Sequence, residues 1–438
     1  MYYTLEKCHQ IIKENYGVLD LRGHKVTELP EGLRVPRDFL LRGSWIQTLP
    51  DNLEVGGNLD MKRCRYITKL PKGLNIGGDL QMAGTKISAL PDDLIVGRSI
   101  WLGNTCVTEI PDTVQVGYDW QLGYSRIKRL PKNMVIHHGL CLCNTEVTEL
   151  PDYMECEYLW LSRSNVKSLP RGLVVQRLTM CHTQIAELPD DISACSVYAQ
   201  HSQVTRVLGK QFGDLDVSYT PLVKLADKII ICGKFNASHT PLAELPNGLQ
   251  IFGNVDMSHT NITHLPNDWM INGEINASYS KLTNLPEGFT APRNLLVNNT
   301  PIKNLPNGMV IGGKLNISGT NIASLPNNLI VHAELHLNNH VENLPPDLIV
   351  NGSIQSENPL LKQNKIAAVR KMKDGEVVPK QCVHYRGRIC IIAGITKRDG
   401  YTYYENKYRC GASNIIANKR NMAWCRDFAE GVKKLQAF

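Results

Sequence analysis

The most reactive side chains in this sequence are its thiols. Thirteen cysteines lie scattered through 438 residues without the spacing of a disulfide framework, so they read as reduced thiols and as candidate nucleophiles or metal ligands. Near the C-terminus, Cys425-Arg426-Asp427 sets a cation beside a thiol, which favours the thiolate and nucleophilic attack; the competing reading is a packed cysteine at a helix start. Cys382, His384, Cys390, Cys410 and Cys425 are the residue types of a structural zinc site. They contain no C-x-x-C pair and their separations are irregular, so buried thiols describe them better. A third set, Cys141, Cys143 and Cys181 with their neighbours His182 and His201, projects from strands of the repeats. Strands about 4.8 Å apart place residues two repeats away nearly 10 Å from each other, too far to share an ion. No catalytic, metal-binding or cofactor-binding residue is assigned, and no cofactor is expected.

The elements that must position any of these groups announce themselves by period. A Leu, once Ile, recurs at an interval near 20 residues, mostly followed by Pro: Leu29-Pro30, Leu49-Pro50, Leu70-Pro71, Leu90-Pro91, Ile110-Pro111 and onward to Leu344-Pro345. Anchors at Leu208 and Leu225 lack the Pro and stand only 17 apart, which predicts a local irregularity there, with Gly209 in the Pro slot. A fixed period near 20 is a solenoid, and a repeat scaffold shifts the expected function toward binding.

In the unit that begins at Leu90, strand-like alternation is confined to Ile100-Trp101-Leu102, which predicts one short strand per unit with its aliphatic residues turned inward. The Pro fixes its own φ and restricts its predecessor, which disfavours a helix on the return path and suggests a polyproline-like one. Pairs such as Gly56-Gly57, Gly77-Gly78 and Gly312-Gly313 are expected where the chain turns sharply into the strand. The residue between the two inward positions is then free of packing duty. In the N-terminal half these central residues are Asp20, Leu40, Asp60, Gln81, Trp101, Gln121, Cys141, Trp160, Thr179 and Tyr198, with Tyr158 beside Trp160. Aromatics on a rigid sheet anchor interfaces, so Trp101, Gln121, Tyr158, Trp160, Thr179 and Tyr198 form the candidate protein-binding site; sheet-covering tryptophans are the alternative. Farther on the column turns polar: Asp216, Asn236, Asp256, Asn276, Leu296, Asn316 and His336, flanked by serines, a pattern able to hydrogen-bond along itself.

Over about residues 17–358 the units follow the pattern L-P-x-x-L-x-V-x-G-x-L-x-L-x-x-T-x-I-x-x-L-P. In this the sequence resembles the bacterial leucine-rich-repeat effectors delivered into host cells by type III secretion. The resemblance implies a curved parallel-stranded horseshoe, conventionally α/β, and a secreted protein acting in the host cytoplasm or nucleus on a host protein. Members commonly open with a long helical hairpin, whereas here only Thr4 to about Tyr16 reads as helix, with Leu5, Ile11 and Ile12 apolar. One branch of the family carries a ubiquitin ligase domain whose nucleophile lies in a Cys-x-Asp motif, matching Cys425 and Asp427. That domain is several times longer than the segment available after the repeats.

Charge marks a boundary near Pro359. Residues 361–438 hold 17 Lys and Arg against 6 Asp and Glu, leaving 31 against 35 for the rest of the chain. The expected organisation is a helical cap at 1–16, about 17–18 repeat units at 17–358, and a small basic α+β domain at 360–438. In that domain helices are predicted over 366–372 and 427–435, and strands over 383–385, 389–395 and 401–409. Arg386, Arg388, Lys397, Arg398, Lys407 and Arg409 among Tyr385, Tyr401, Tyr403, Tyr404 and Tyr408 suit an acidic partner, nucleic acid or anionic membrane, or form a solvated surface. No run of 18 apolar residues predicts a membrane span, no Sec-type signal is visible behind Met1, and sequons such as Asn236-Ala237-Ser238 recur at the repeat period as strand consensus. The expected function is therefore host-protein binding by the concave face, with an enzyme in the C-terminal domain as the alternative.

Overall fold

The computed structural model describes residues 2–356 and 358–361, and the backbone of three strands at 378–385, 388–398 and 401–410. The chain divides into two compact units, Met1–Ala186 with Asp191–Ala194, and Glu187–Asp190 with Cys195–Phe438. Each contains a leucine-rich-repeat solenoid in which successive turns stack as parallel strands.

In the N-terminal unit a helix spans Leu5–Glu14; the Thr4 hydroxyl accepts from the Lys7 backbone N–H at 3.3 Å, and Cys8 and Ile12 are buried. It packs against the first sheet strand, Leu19–Asp20. Phe39–Leu40, Leu59–Asp60, Leu80–Gln81, Ile100–Trp101, Trp120–Gln121, Gly139–Cys141, Glu155–Trp160 and Val174–Thr179 follow in parallel register, one repeat per step. The inward residues are shut off from water: Ile100 and Leu102 are both 0% exposed, as are Leu80, Leu122 and Leu140. Fully burying such a side chain is worth about 1.5–3 kcal/mol, and the stack repeats it at every turn.

Each ordinary unit contains two short strands rather than one. Arg34–Val35, Glu54–Val55, Asn75–Ile76, Ile95–Val96 and Gln115–Val116 make a second parallel ladder just ahead of the first. Between the ladders lie the glycines, and their role is close approach rather than an unusual φ. A β-carbon on Gly77 would collide with the Gly56 carbonyl oxygen, one on Gly97 with that of Gly77, and one on Gly117 with that of Gly97. The next residue in this column is His137. Ladders of the same kind recur at Gln211–Phe212 to Met270–Ile271 and at Thr290–Ala291 to Ile349–Val350, the latter with His332 in this column after the paired Val331; in the N-terminal unit the five-stranded run ends at Gln115–Val116. A cavity of about 710 Å³ remains beside it, lined by Ile95, Val114, Trp120, Met134, Val135 and His137, with the Trp120 indole N–H donating to the Val135 carbonyl at 3.1 Å. The following units are one residue shorter where the glycine stood, and the two strands fuse into the six-residue Glu155–Trp160 and Val174–Thr179.

In the C-terminal unit Asp214–Asp216, Phe235–Asn236, Val255–Asp256, Ile275–Asn276, Leu295–Leu296, Leu315–Asn316, Leu335–Leu337 and Ile354–Ser356 continue in the same manner. The Pro-less anchors are regular in their pairing. Leu188 pairs with Val207, and Val207 with Leu225, so Val207 is the anchor and half-buried Leu208 follows it. The intervals become 19 and 18, and the sheet crosses this region with unbroken bonds, Ala199 N–H to Asp216 O at 2.8 Å and Val217 N–H to Asn236 O at 2.8 Å. The strands at Val378–Tyr385, Arg388–Arg398 and Tyr401–Cys410 pair antiparallel, and the turn positions expected at 386–387 and 399–400 lie outside the described residues. The helices expected at 366–372 and 427–435 lie outside the described residues, as does Cys425.

Candidate functional site

The turn that leaves each sheet strand is fixed by two recurring features. A residue in the left-handed region comes first, for example Asn104 (φ 57°), Tyr124 (φ 61°) and Asn144 (φ 54°). A buried Thr or Ser commonly follows, and several return the hydroxyl to the strand's last inward carbonyl, as Thr105 does to Leu102 and Thr145 to Leu142, both at 2.8 Å, whereas the Thr85, Ser125 and Ser164 hydroxyls make no such bond. The central strand residue is thereby held outward on a rigid frame.

In the N-terminal unit this column begins with charge. Arg22 grips the Asp20 carboxylate at 2.6 Å, and that hydrogen bond holds the Asp20 carboxyl below its ordinary range. Arg42 reaches the Asp60 carboxylate of the next turn at 2.9 Å. Past Gln81 the column becomes aromatic and soft: Trp101, Gln121, Cys141, Trp160 and Thr179 stand in direct register on neighbouring strands. Trp101 is 40% exposed although both flanking residues are sealed. Gln121, Tyr158, Trp160 and Thr179 are half-buried.

The structure thus brings together five of the six expected site residues; Tyr198 belongs to the C-terminal unit, in register with Asp216. Tyr158 and Trp160 stack with centroids 5.3 Å apart and planes 7° apart. The array extends through His138, which lies 5.0 Å from Tyr158 and stacks on Tyr118 at 4.1 Å. His138 is tied by Nδ1 to Asp119 at 2.7 Å and approaches Glu157 at 3.5 Å. Sequence reasoning missed His138 and Tyr118 because they occupy the corner between the two ladders, and the second ladder was not expected. Tyr124, 61% exposed on the left-handed turn after Gln121, was missed as well.

Two cysteines share this face. The Cys141 sulfur receives the Cys143 thiol and the backbone N–H groups of Cys143 and Gly123, which together pull its pKa down to about 7 against the opposing effect of burial. Its partner Cys143 keeps the proton and is pushed up, first by that same hydrogen bond and then by burial.

The polar column of the C-terminal unit bonds chiefly within each strand end. Asp216, Asp256 and Asn276 each take both the N–H and hydroxyl of the serine two residues on. Bonding along the column occurs once in the stretch, from Asn236 to Asp216 at 3.3 Å. Beside it runs an unexpected ladder of exposed rings at the left-handed slot: His201, Tyr219, His239, His259 and Tyr279, with successive centroids 4.7, 4.3, 4.2 and 4.6 Å apart. The signal in the sequence was the recurrence of Ser-Tyr-Thr, Ser-His-Thr, Ser-His-Thr and Ser-Tyr-Ser at the repeat interval.

No described helix is long and apolar enough to cross a membrane. Comparison with known proteins found no matching family model and no match among curated proteins. Among solved structures, YopM from Yersinia enterocolitica WA-314 aligns at 15% identity over 84% of this chain and 93% of that one, TM-score 0.41. YopM from Yersinia pestis aligns at 15% identity over 80% and 91%, TM-score 0.36. A leucine-rich-repeat protein of Leptospira interrogans aligns at 14% identity over 74% and 95%, TM-score 0.28. The chain's own repeat geometry makes it a leucine-rich-repeat solenoid: parallel strands stacked one per turn over a continuous aliphatic core.

Proposed function

We propose that this protein binds a protein partner on the strand face of its N-terminal unit, with Trp101 as the exposed anchor and Gln121, Tyr158, Trp160 and Thr179 as its surround. The observation that carries this reading is the contrast at one strand: Trp101 is 40% exposed while Ile100 and Leu102 are sealed in the core. A large apolar group held outward by a rigid frame, without a packing task, is the residue type that dominates binding energy at interfaces. The soft half-buried neighbours supply the water-excluding rim. The likeness of the repeat to the type III effector pattern supports a host protein as the partner and a secreted protein as the agent, working in the host cytoplasm or nucleus.

A photo-crosslinking amino acid placed at Gln121, on the strand face, and another at Gln115, on the adjacent ladder, test the assignment in eukaryotic cell extract. The reading expects a discrete crosslinked protein from position 121 and not from position 115. Crosslinks from 115 alone would move the partner to the other side of the turn.

A further inference from the structure

We propose that Cys141 and Cys143 form a redox-active dithiol, a modification site that closes to an intramolecular disulfide by exchange with a small disulfide of the glutathione class. The inference stands on how the two residues are seated. They flank the buried Leu142, so their side chains leave the same side of the chain, and both are half-buried rather than sealed. They converge over Gly123: a β-carbon on that glycine would lie 3.0 Å from the Cys141 sulfur and 3.7 Å from the Cys143 β-carbon. The depression that holds them exists because residue 123 has no side chain. The Cys143 thiol and the backbone N–H groups of Cys143 and Gly123 favour the Cys141 thiolate against the opposing effect of burial. Three donors on one sulfur make a cradle for a thiolate.

Three other described thiols differ. Burial holds Cys8, Cys64 and Cys156 in the neutral form, and Cys156 most of all, up to about 12. The described residues contain no group of three or more potential ligands that would make the pair part of a metal site.

The exchange balances without a further reactant. The Cys141 thiolate attacks one sulfur of the small disulfide; that S–S bond breaks and the first small thiol departs with the proton that Cys141 gave up. Cys143, losing its proton in turn, attacks the Cys141 sulfur of the mixed disulfide and expels the second small thiol. Two protein thiols are oxidised, one small disulfide is reduced to two thiols, and the hydrogen count is unchanged. Because Cys141 stands in register between Gln121 and Trp160, closure of the ring would alter the surface proposed to hold the partner.

The test uses the reduced full-length protein, glutathione disulfide at neutral pH, quenching by alkylation, and mass spectrometry of the peptides. The expected product is a peptide carrying residues 141 and 143 that is two hydrogens lighter and unalkylated, formed before the half-buried Cys106 and Cys232 react. In Cys143→Ser a glutathione adduct should accumulate on Cys141, whereas in Cys141→Ser residue 143 should remain unmodified. The proposal is overturned if residues 141 and 143 stay reduced while Cys106 and Cys232 react, or if Cys143→Ser carries no adduct at Cys141. Neither readout involves a partner, so failure here leaves the binding assignment separately testable.

Discussion

The indole of Trp160 lies across Gly139, where a β-carbon would stand 2.9 Å from the indole Cζ3 atom. The strand gives up a side chain so that the ring can lie down on it, and the ring's other partner is Tyr158. Trp160 therefore shares the work of covering the sheet, while Trp101, three strands away in the ladder, stands up from it. Gly139→Ala should lift the indole, shifting the Trp160 resonance in the spectrum of fluorine-labelled protein. Overpacking at such a contact costs about 1–3 kcal/mol. Trp101→Ala should leave stability within about 0.5 kcal/mol of wild type, as for a surface change without a packing role. Equal losses for the two would contradict the distinction.

The break in the second ladder makes a separate prediction. If His137 ends the ladder by filling the space that Gly117 leaves open, His137→Gly should let Val135 and Ile136 pair with Gln115 and Val116. Amide exchange at residues 135–137 should slow, with a gain of about 1 kcal/mol for two new backbone hydrogen bonds less the flexibility of glycine. The reverse change, Gly97→Ala, should cost several times more, because its β-carbon meets the Gly77 carbonyl oxygen rather than a mobile side chain. Unchanged exchange in His137→Gly would place the cause of the break elsewhere.

The ring ladder separates conformational cost from contact. Tyr279 holds a φ of 58°, a region that tyrosine disfavours and asparagine tolerates, and neighbouring turns carry Asn at the same slot, as at Asn299. Tyr279→Asn loses one stacked pair, worth about 0.5–1.5 kcal/mol, and relieves backbone strain of similar size. Chemical denaturation should therefore show almost no change. A loss beyond about 2 kcal/mol would mean that the stack is a structural spine rather than a surface feature.

Much of this was legible from the chain alone, for a physical reason. One repeat cannot bury its own leucines, so the period, the inward Ile100 and Leu102 and the outward Trp101 follow from pattern. Close backbone approach is different: it shows only once two turns are stacked, so the glycine column read as sharp turning and the second ladder was not anticipated. The anchor near 208 was misplaced by one residue because Val207 and Leu208 are both aliphatic and no Pro marks the phase. The Tyr118, His138, Tyr158 and Trp160 array draws on the corner and the strand together, and that combination has no linear signature.

Alkaline stability should report the burial of Cys156. Desolvation, and then the negative charge of Glu155, push its thiol to about 12, whereas an unfolded chain releases that proton near 8.5. Above the unfolded value the folded state binds more protons than the unfolded one, so stability is full below about pH 8.5 and falls as pH rises. The slope approaches about 1.4 kcal/mol per pH unit for one such group. Urea midpoints at about pH 8 and about pH 10.5 should therefore diverge less in Cys156→Val than in wild type. Identical losses would show that other groups govern the alkaline limb.

The strand-face assignment is tested most directly by the dissociation constant of the protein crosslinked from position 121, measured against wild type, Trp101→Ala and a control on the adjacent ladder, Ile95→Ala. Removing a true anchor costs about 2 kcal/mol or more, so Trp101→Ala should weaken binding by about 30-fold or more, with unfolding unchanged and the control at wild-type affinity. Binding by Trp101→Ala within about twofold of wild type, or an equal loss in the control, would contradict the assignment.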